Sequence, residues 1–291
     1  MKAIKQHYKI KDSDFDVNLL SQYNLYLHIY LNQLHVCVVD APSKKCLLYE
    51  QYDFSATAAN ITLLECLKGI WENHHLLSAA LWHKVVVVPV NADFAFIPAK
   101  HYHEDTALQF LQLNCQLDWQ KQVLAHTRHY EFDAVAVFPV NAEMVKWLAD
   151  VYGGAKLQFA HTNSCFLHGL LAMKAGVANE LHLLVHPDLL SIAYLREQRL
   201  KFVNTFPQAS PSDVLYFALF VMQELGLAPE QTTLRLWGNG DEVLACQDVL
   251  QPYVKDVALG ETNLPMSFGD GFAALPSYYA VDLFSAFLLL Q

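Results

Sequence analysis

Histidines, carboxylates and a cysteine occur in this chain at spacings that could do chemistry. His101-Tyr-His103-Glu-Asp105 alternates imidazole and carboxylate as a zinc or iron site does. His126 and His129 form a second short pair. The first run lacks the next histidine, because Thr106 stands there. Glu104 and Asp105 also suit the first turn of a helix, where the macrodipole favours acids. Among 14 histidines short spacings arise by chance, and no metal is expected. His161-Thr-Asn-Ser164 followed by Cys165 suggests a nucleophile beside a base, but such a pair needs a third orienting group. At a strand-to-helix junction Thr162, Asn163 or Ser164 reads as a helix cap, with Cys165 packed inward. No glycine-flanked serine, P-loop or dinucleotide glycine pattern is present. No residue is assigned a catalytic role.

The elements that must position these residues are clearer. Asn24–Val39 carries two apolar strand patterns joined by a polar turn, and the same pattern returns 156 positions later at Glu180–Leu195. Leu25 matches Leu181, Leu27 matches Leu183 and Ile29 matches Val185. Beyond the turn, Leu34 matches Leu190 and Val36 matches Ile192. Each copy leads into a third strand, at 46–54 and 200–206, and then a helix. In the first half Asn60 reads as the cap of a helix that puts Leu63, Leu67, Ile70 and Trp71 on one face. His83–Val90 and Ala134–Val140 are β-branched runs without alternation, as in strands covered on both sides. A helix at 142–152, a strand at 156–160 and a helix at 163–174 follow. Residues 91–131, more polar and with a helix at 104–114, read as an insertion. Residues 176–179 read as a linker, giving lobes of 1–175 and 176–291.

In the second half Ser210, Pro211 and Asp213 punctuate a helix start, and Gly226 its end. The body from Val214 to Met222 is apolar nearly all round, so burial on most sides is expected, with Tyr216, Phe217 and Phe220 in the core. Strands at 232–237 and 254–258 and helices at 242–250 and 278–290 complete the half. The order β-β-β-α-β-α-β-α, written twice, is the ribonuclease-H-like layout, and two in tandem make the actin-like ATPase layout. The predicted class is α/β, with mixed five-stranded sheets flanked by helices.

Composition excludes several partners. With 54% hydrophobic and 16% charged residues the chain can bury a large core. A net charge of -10 repels nucleic acid and anionic membranes on average, and no basic cluster offsets it. The longest apolar run is about half a membrane span, so no membrane insertion is expected. Six cysteines without a Cys-x-x-Cys pair suggest a reducing compartment, and the cytoplasm is expected.

Several segments resemble a bacterial family of uncharacterised proteins, a domain of unknown function with an actin-like fold. They are Val85-Val-Val-Val-Pro89 with Ala95-Phe-Ile-Pro98, Ala134-Val-Ala-Val-Phe-Pro139, Phe159-Ala-His-Thr-Asn-Ser164 and Leu275-Pro-Ser-Tyr-Tyr279. That family is similar in turn to the cytoplasmic actin-like components of type IV pilus assembly and type II secretion. The resemblance covers roughly residues 20–290.

It implies a place where a nucleotide would sit. Active relatives hold phosphates on two hairpin turns reading Asp-x-Gly, whose glycines let backbone N–H groups approach while the carboxylates order magnesium and water. Here the first turn is Tyr30-Leu31-Asn32-Gln33, with neither residue. The second is His186-Pro187-Asp188-Leu189, with a displaced acid and a proline that removes a donor. Gly238-Asn239-Gly240 is similar to the glycine turn that contacts adenosine, and also reads as an ordinary tight turn. Asp241 and Glu242 behind it disfavour phosphate. If a nucleotide binds, Asn32, Asp188, Gly238, Asn239 and Gly240 are its candidate contacts.

Three functions compete. The first is a non-catalytic module, a pseudo-ATPase without cofactor, that works through a protein partner or as a homodimer. The second is a nucleotide-binding protein or slow ATPase using ATP and magnesium through unusual turns. The third, a two-metal nuclease, needs carboxylates that the first strands of both halves lack.

Overall fold

The computed structural model describes residues 4–54, 61–113, 115–174 and 179–290. The expected cap at Asn60, the end of the 104–114 helix and most of the 176–179 linker lie outside them. In chain order the strands are β1 (Lys5–Lys11), β2 (Tyr23–Ile29), β3 (Gln33–Asp40) and β4 (Lys45–Asp53), followed by α1 (Leu63–Asn73) and β5 (Lys84–Pro89). Then come β6 (Ala95–Pro98), α2 (Ala107–Gln112), β7 (Gln122–His129), β8 (Ala134–Asn141), α3 (Ala142–Val151), β9 (Lys156–Phe159) and α4 (Thr162–Ala172). The second half holds β10 (Glu180–Val185), β11 (Leu189–Arg196), β12 (Arg199–Pro207), α5 (Pro211–Glu224), β13 (Thr233–Gly238), α6 (Asp241–Leu250) and β14 (Asp256–Leu259). A two-residue β15 (Ser267–Phe268) and a short α7 (Val281–Ser285) follow.

The repeat in the sequence is a repeat in register. In the first hairpin Leu27 faces Val36 and Ile29 faces Leu34. In the second Leu183 faces Ile192 and Val185 faces Leu190, the same residues shifted by 156. Because side chains alternate with period two, this pairing sends the matching apolar residues to matching faces. The second sheet runs β12-β11-β10-β13-β14, with β13 and β14 parallel to β10. The first has the same five positions, β4-β3-β2-β5-β9, extended beyond β4 by β1 and β15.

Contacts divide the chain into two units. One comprises residues 1–164 with 266–274, the other 165–265 with 275–291. The division thus falls inside α4, and a short segment from late in the chain joins the first unit by pairing Ser267 and Phe268 with Lys45 and Cys46. The insertion is larger than residues 91–131. β8, expected in the main sheet, instead pairs with β6 and β7 in a separate three-stranded sheet. Its burial is nonetheless uninterrupted, because Val135 and Val137 pack with Ala107 and Leu111 of α2 while Phe138, of the other parity, lies against His161, and an unbroken apolar run therefore did not reveal the separate sheet.

Local signals explain the helices. Thr62, rather than the more distant Asn60, caps α1: its hydroxyl accepts from Glu65 N–H while the Glu65 carboxylate accepts from Thr62 N–H. In α5, Asp213 accepts from Ala209 N–H and the Ser210 hydroxyl. Gly226, in the left-handed region at φ 65, ends the helix, with Leu227 N–H donating to the Met222 carbonyl. The expectation that α5 is buried on most sides, with Tyr216, Phe217 and Phe220 in the core, is corrected. Val214, Ala218, Val221 and Met222 are buried, but Tyr216 is 63% and Phe220 43% exposed, stacked on each other on the outer face. Phe217 stacks on Phe206 of β12. The helix packs its inner face on the core of the second sheet, and Tyr216 and Phe220 on its outer face have no layer to cover them. Among the described residues no helix is long and apolar enough to cross a membrane.

One buried charge stands out. Glu50, on β4, is fully covered. Its Oε2 accepts from His74 Nε2 at 2.6 Å and from the Tyr52 hydroxyl at 2.8 Å. Leu77 N–H donates to His74 Nδ1, so Nε2 carries the proton. Burial pushes the Glu50 carboxyl up, but the His74 and Tyr52 bonds and the Lys9 charge outweigh it and hold it below the usual range. A carboxylate depressed in the folded state stabilises the fold above its ordinary pKa and loses that contribution as pH falls through the folded value.

Two outcomes are expected from urea unfolding. Stability should fall as pH drops below about 4.5, and Glu50→Gln should be weaker at neutral pH but less sensitive to acid. Tyr216→Ser with Phe220→Ser should change stability by less than about 0.5 kcal/mol, whereas Met222→Ala on the inner face should cost about 2–5 kcal/mol.

Candidate functional site

In each unit two parallel strands end side by side: Ile29 beside Pro89 in the first, Val185 beside Gly238 in the second. The carboxyl ends of adjacent parallel strands are where α/β sheets hold ligands. All five candidate contacts fall at these ends, Asn32 in the first unit and the other four in the second.

In the first unit the turn is closed by its own backbone. Tyr30 N–H donates to the Gln33 carbonyl at 2.9 Å, and the Asn32 carbonyl accepts from Phe54 N–H at 2.9 Å. The Asn32 side-chain oxygen is buried without a hydrogen-bond partner. After β5, His161 Nε2 donates to the Asn91 carbonyl at 3.2 Å, while His161 Nδ1 accepts from Asn163 N–H at 3.2 Å. Both contacts require the Nε2–H tautomer. His161 therefore caps α4 itself, where Thr162, Asn163 or Ser164 was expected, and stacks on Phe94 with ring centroids 4.7 Å apart. Ser164 and His129 hydrogen-bond at 2.9 Å, both buried. Cys165 is buried as well, and burial, then the nearby Asp282 charge, push its thiol up, away from the thiolate a nucleophile needs.

In the second unit Gln208 holds the turn. Its side chain donates to the His186 carbonyl and its backbone N–H to the Asp188 carbonyl at 3.0 Å. The glycine turn is also occupied from within. Gly238 N–H donates to the Tyr278 carbonyl at 3.0 Å, and the Asn239 side-chain oxygen accepts from Ala280 N–H at 3.0 Å. Gly238 is glycine for a local reason: its φ is 138, and a Cβ would lie 2.2 Å from the Val185 carbonyl oxygen. Gly240, at φ 75, caps α6 and faces open space. Asp241 and Glu242 open the helix, and burial, then the Asp188 charge, raise the Glu242 carboxyl. Three carboxylates on or beside these turns make an anion unwelcome.

Among the described residues no three potential metal ligands cluster. His126 packs on Tyr102 and His129 on Phe96. Sequence reasoning missed two acids. Asp282 stands inside an apolar run yet is 1% exposed, with its carboxylate 3.9 Å from His186. Glu50 sits in a mixed strand, next to Gln51 and three residues before Asp53. A lone acid inside an apolar run was the available signal for Asp282; Glu50 carried no comparable signal.

Two sheets of this order in tandem, with helices on them, define the actin-like ATPase fold. A crystal structure of a Bacteroides thetaiotaomicron protein with that fold and unknown function matches with a TM-score of 0.75 at 17% identity, covering 84% of this chain and 93% of that one. The PilM–PilN type IV pilus biogenesis complex matches with a TM-score of 0.56 at 14% identity, covering 92% and 97%. The chain belongs to the family described as protein of unknown function (DUF3822), whose model matches residues 12–257. No curated protein matches it.

Two results are expected. Gly238→Ala should destabilise the fold by about 1–3 kcal/mol through strain and overpacking, with or without nucleotide, as read by thermal unfolding. Ellman's reagent should leave Cys165 unlabelled until the chain unfolds. It should label Cys115 slowly, since burial and then Asp93 push that thiol up to about 12.

Proposed function

We propose that this chain is a non-catalytic actin-like module, a pseudo-ATPase that acts through protein contacts. One observation carries the reading: the groups of the glycine turn that would meet phosphate or adenosine are engaged inside the chain. Gly238 N–H donates to the Tyr278 carbonyl, and the Asn239 side-chain oxygen accepts from Ala280 N–H. The turns themselves read Tyr30-Leu31-Asn32 and His186-Pro187-Asp188, without the acid-and-glycine pair that orders magnesium and phosphate. The acids beside the glycine turn add repulsion.

Work through protein contacts is supported by the exposed stacked pair Tyr216 and Phe220, since aromatic side chains carry much of the energy at interfaces. The similar fold in the PilM–PilN complex agrees with a protein partner. A second copy of this chain is the other partner this reading admits, and the cytoplasm is its expected place. The alternative, nucleotide binding through Asn32, Asp188 and the 238–240 turn, has the open side of Gly240 in its favour.

Thermal unfolding with ATP and magnesium tests this. A ligand at 100 times its dissociation constant stabilises by about 2.7 kcal/mol, which for a chain of this length raises the melting temperature by about 4 °C. No shift is expected with any nucleoside triphosphate at millimolar concentration. A saturable shift that Asp188→Asn or Gly240→Ala alters would overturn the reading.

A further inference from the structure

A second feature of the first unit goes beyond this reading and does not rest on it. Edge strand β1, strand β4 and the C-terminal end of α1 border a cavity of about 370 Å³, within the roughly 300–1,000 Å³ range of small-ligand pockets. Glu50 does not line it, but Tyr52, His74 and Lys9, which do, all meet the fully covered Glu50 carboxylate. Oε2 is saturated by His74 and Tyr52. Oε1 has no directed hydrogen bond. Lys9 Nζ stands 3.2 Å from it on a side chain that is 58% exposed.

The polar groups around the cavity have spent donors and left acceptors. The Tyr52 hydroxyl and His74 Nε2 donate to Glu50. Gln6 Nε2 donates to the Tyr52 hydroxyl at 3.0 Å and Asn73 Nδ2 to the Gly69 carbonyl at 2.9 Å. Because those partners accept, the amide orientations are fixed, and the side-chain oxygens of Gln6 and Asn73 remain. The last turn of α1 carries no basic residue, so its negative dipole end is uncompensated by the helix itself. Ile4 and Ile70 supply apolar wall. A buried carboxylate, a helix C-terminus and free acceptors select a donor-rich cation, and the apolar wall selects one on an alkyl stem.

We infer that this pocket is a binding site for an alkylammonium or guanidinium group, with Glu50 as its counter-ion. Lys9 is the chain's own placeholder and swings to solvent when the ligand enters. The net charge of -10 favours such a ligand at long range. The group can come from a free small amine or from a lysine or arginine side chain of a peptide segment.

Calorimetry at low ionic strength and pH 7 tests this with n-butylammonium chloride, butan-1-ol as the uncharged control, and N-acetyl-lysine methylamide. Saturable binding of butylammonium and none of butanol is expected. Lys9→Ala should bind about two- to fivefold tighter, as expected when an exposed ion pair no longer competes. Asn73→Lys, at an exposed helix end that tolerates a cation, should keep the fold by circular dichroism and abolish binding. Equal affinity for butylammonium and the blocked lysine supports a small amine as the source; tighter binding of the blocked lysine supports a peptide. No saturable binding by either the wild type or Lys9→Ala, equal binding of butanol, or binding untouched by Asn73→Lys would overturn the site.

Discussion

The strand ends depend on two parallel pairs, Ile29 with Pro89 and Val185 with Gly238. A parallel neighbour can be reached only through a long crossover, so each pair brings together turns that lie more than fifty residues apart in sequence. In the second unit that juxtaposition fixes residue choice at atomic distance. Gly238 must lack a side chain because the Val185 carbonyl occupies the space, and its N–H is then free to take the Tyr278 carbonyl. The same geometry brings the backbone of Tyr278 and Ala280 onto the glycine turn.

Several polar groups at these ends are buried and paired rather than presented. His161 uses both ring nitrogens, one on Asn91 and one on its own helix start. Ser164 and His129 satisfy each other. Gln208 closes the second turn. Burying such groups unpaired costs roughly 1–3 kcal/mol each, so a chain that keeps them must find them partners. Surrendering those partners to a ligand would carry the same cost. Glu50 is the contrasting case. Its cluster is anchored on one oxygen and leaves the other to a solvent-exposed lysine, which is an arrangement a competing cation can enter.

Much of the fold was legible in the chain. The alternation in Asn24–Val39 and Glu180–Leu195 states both hairpins, their turns and their common register. Ser210, Asp213 and Gly226 state both ends of α5. The candidate contacts were legible only as an absence, since a missing acid and glycine can be read from Tyr30-Leu31-Asn32 without a structure. β8 was misplaced because a strand covered on both faces in a small sheet and one inside the main sheet carry the same unbroken apolar run. Tyr216 and Phe220 were misplaced because apolar character records what a residue can bury, not whether a layer exists to bury it.

Local sequence thus determined what depends on neighbours along the chain: strand alternation, hairpin register, helix caps and the chemistry missing from two turns. Only the tertiary structure decided what depends on partners far along it. The Tyr278 carbonyl and the Ala280 N–H take the glycine turn, His161 ties the start of its helix to Asn91, and Glu50 draws on His74, Tyr52 and Lys9. The physical reason is that each of these backbone and side-chain groups has hydrogen-bonding capacity its chain neighbours do not use, and a sequence does not say where that capacity is spent until the crossovers set which strands and turns meet.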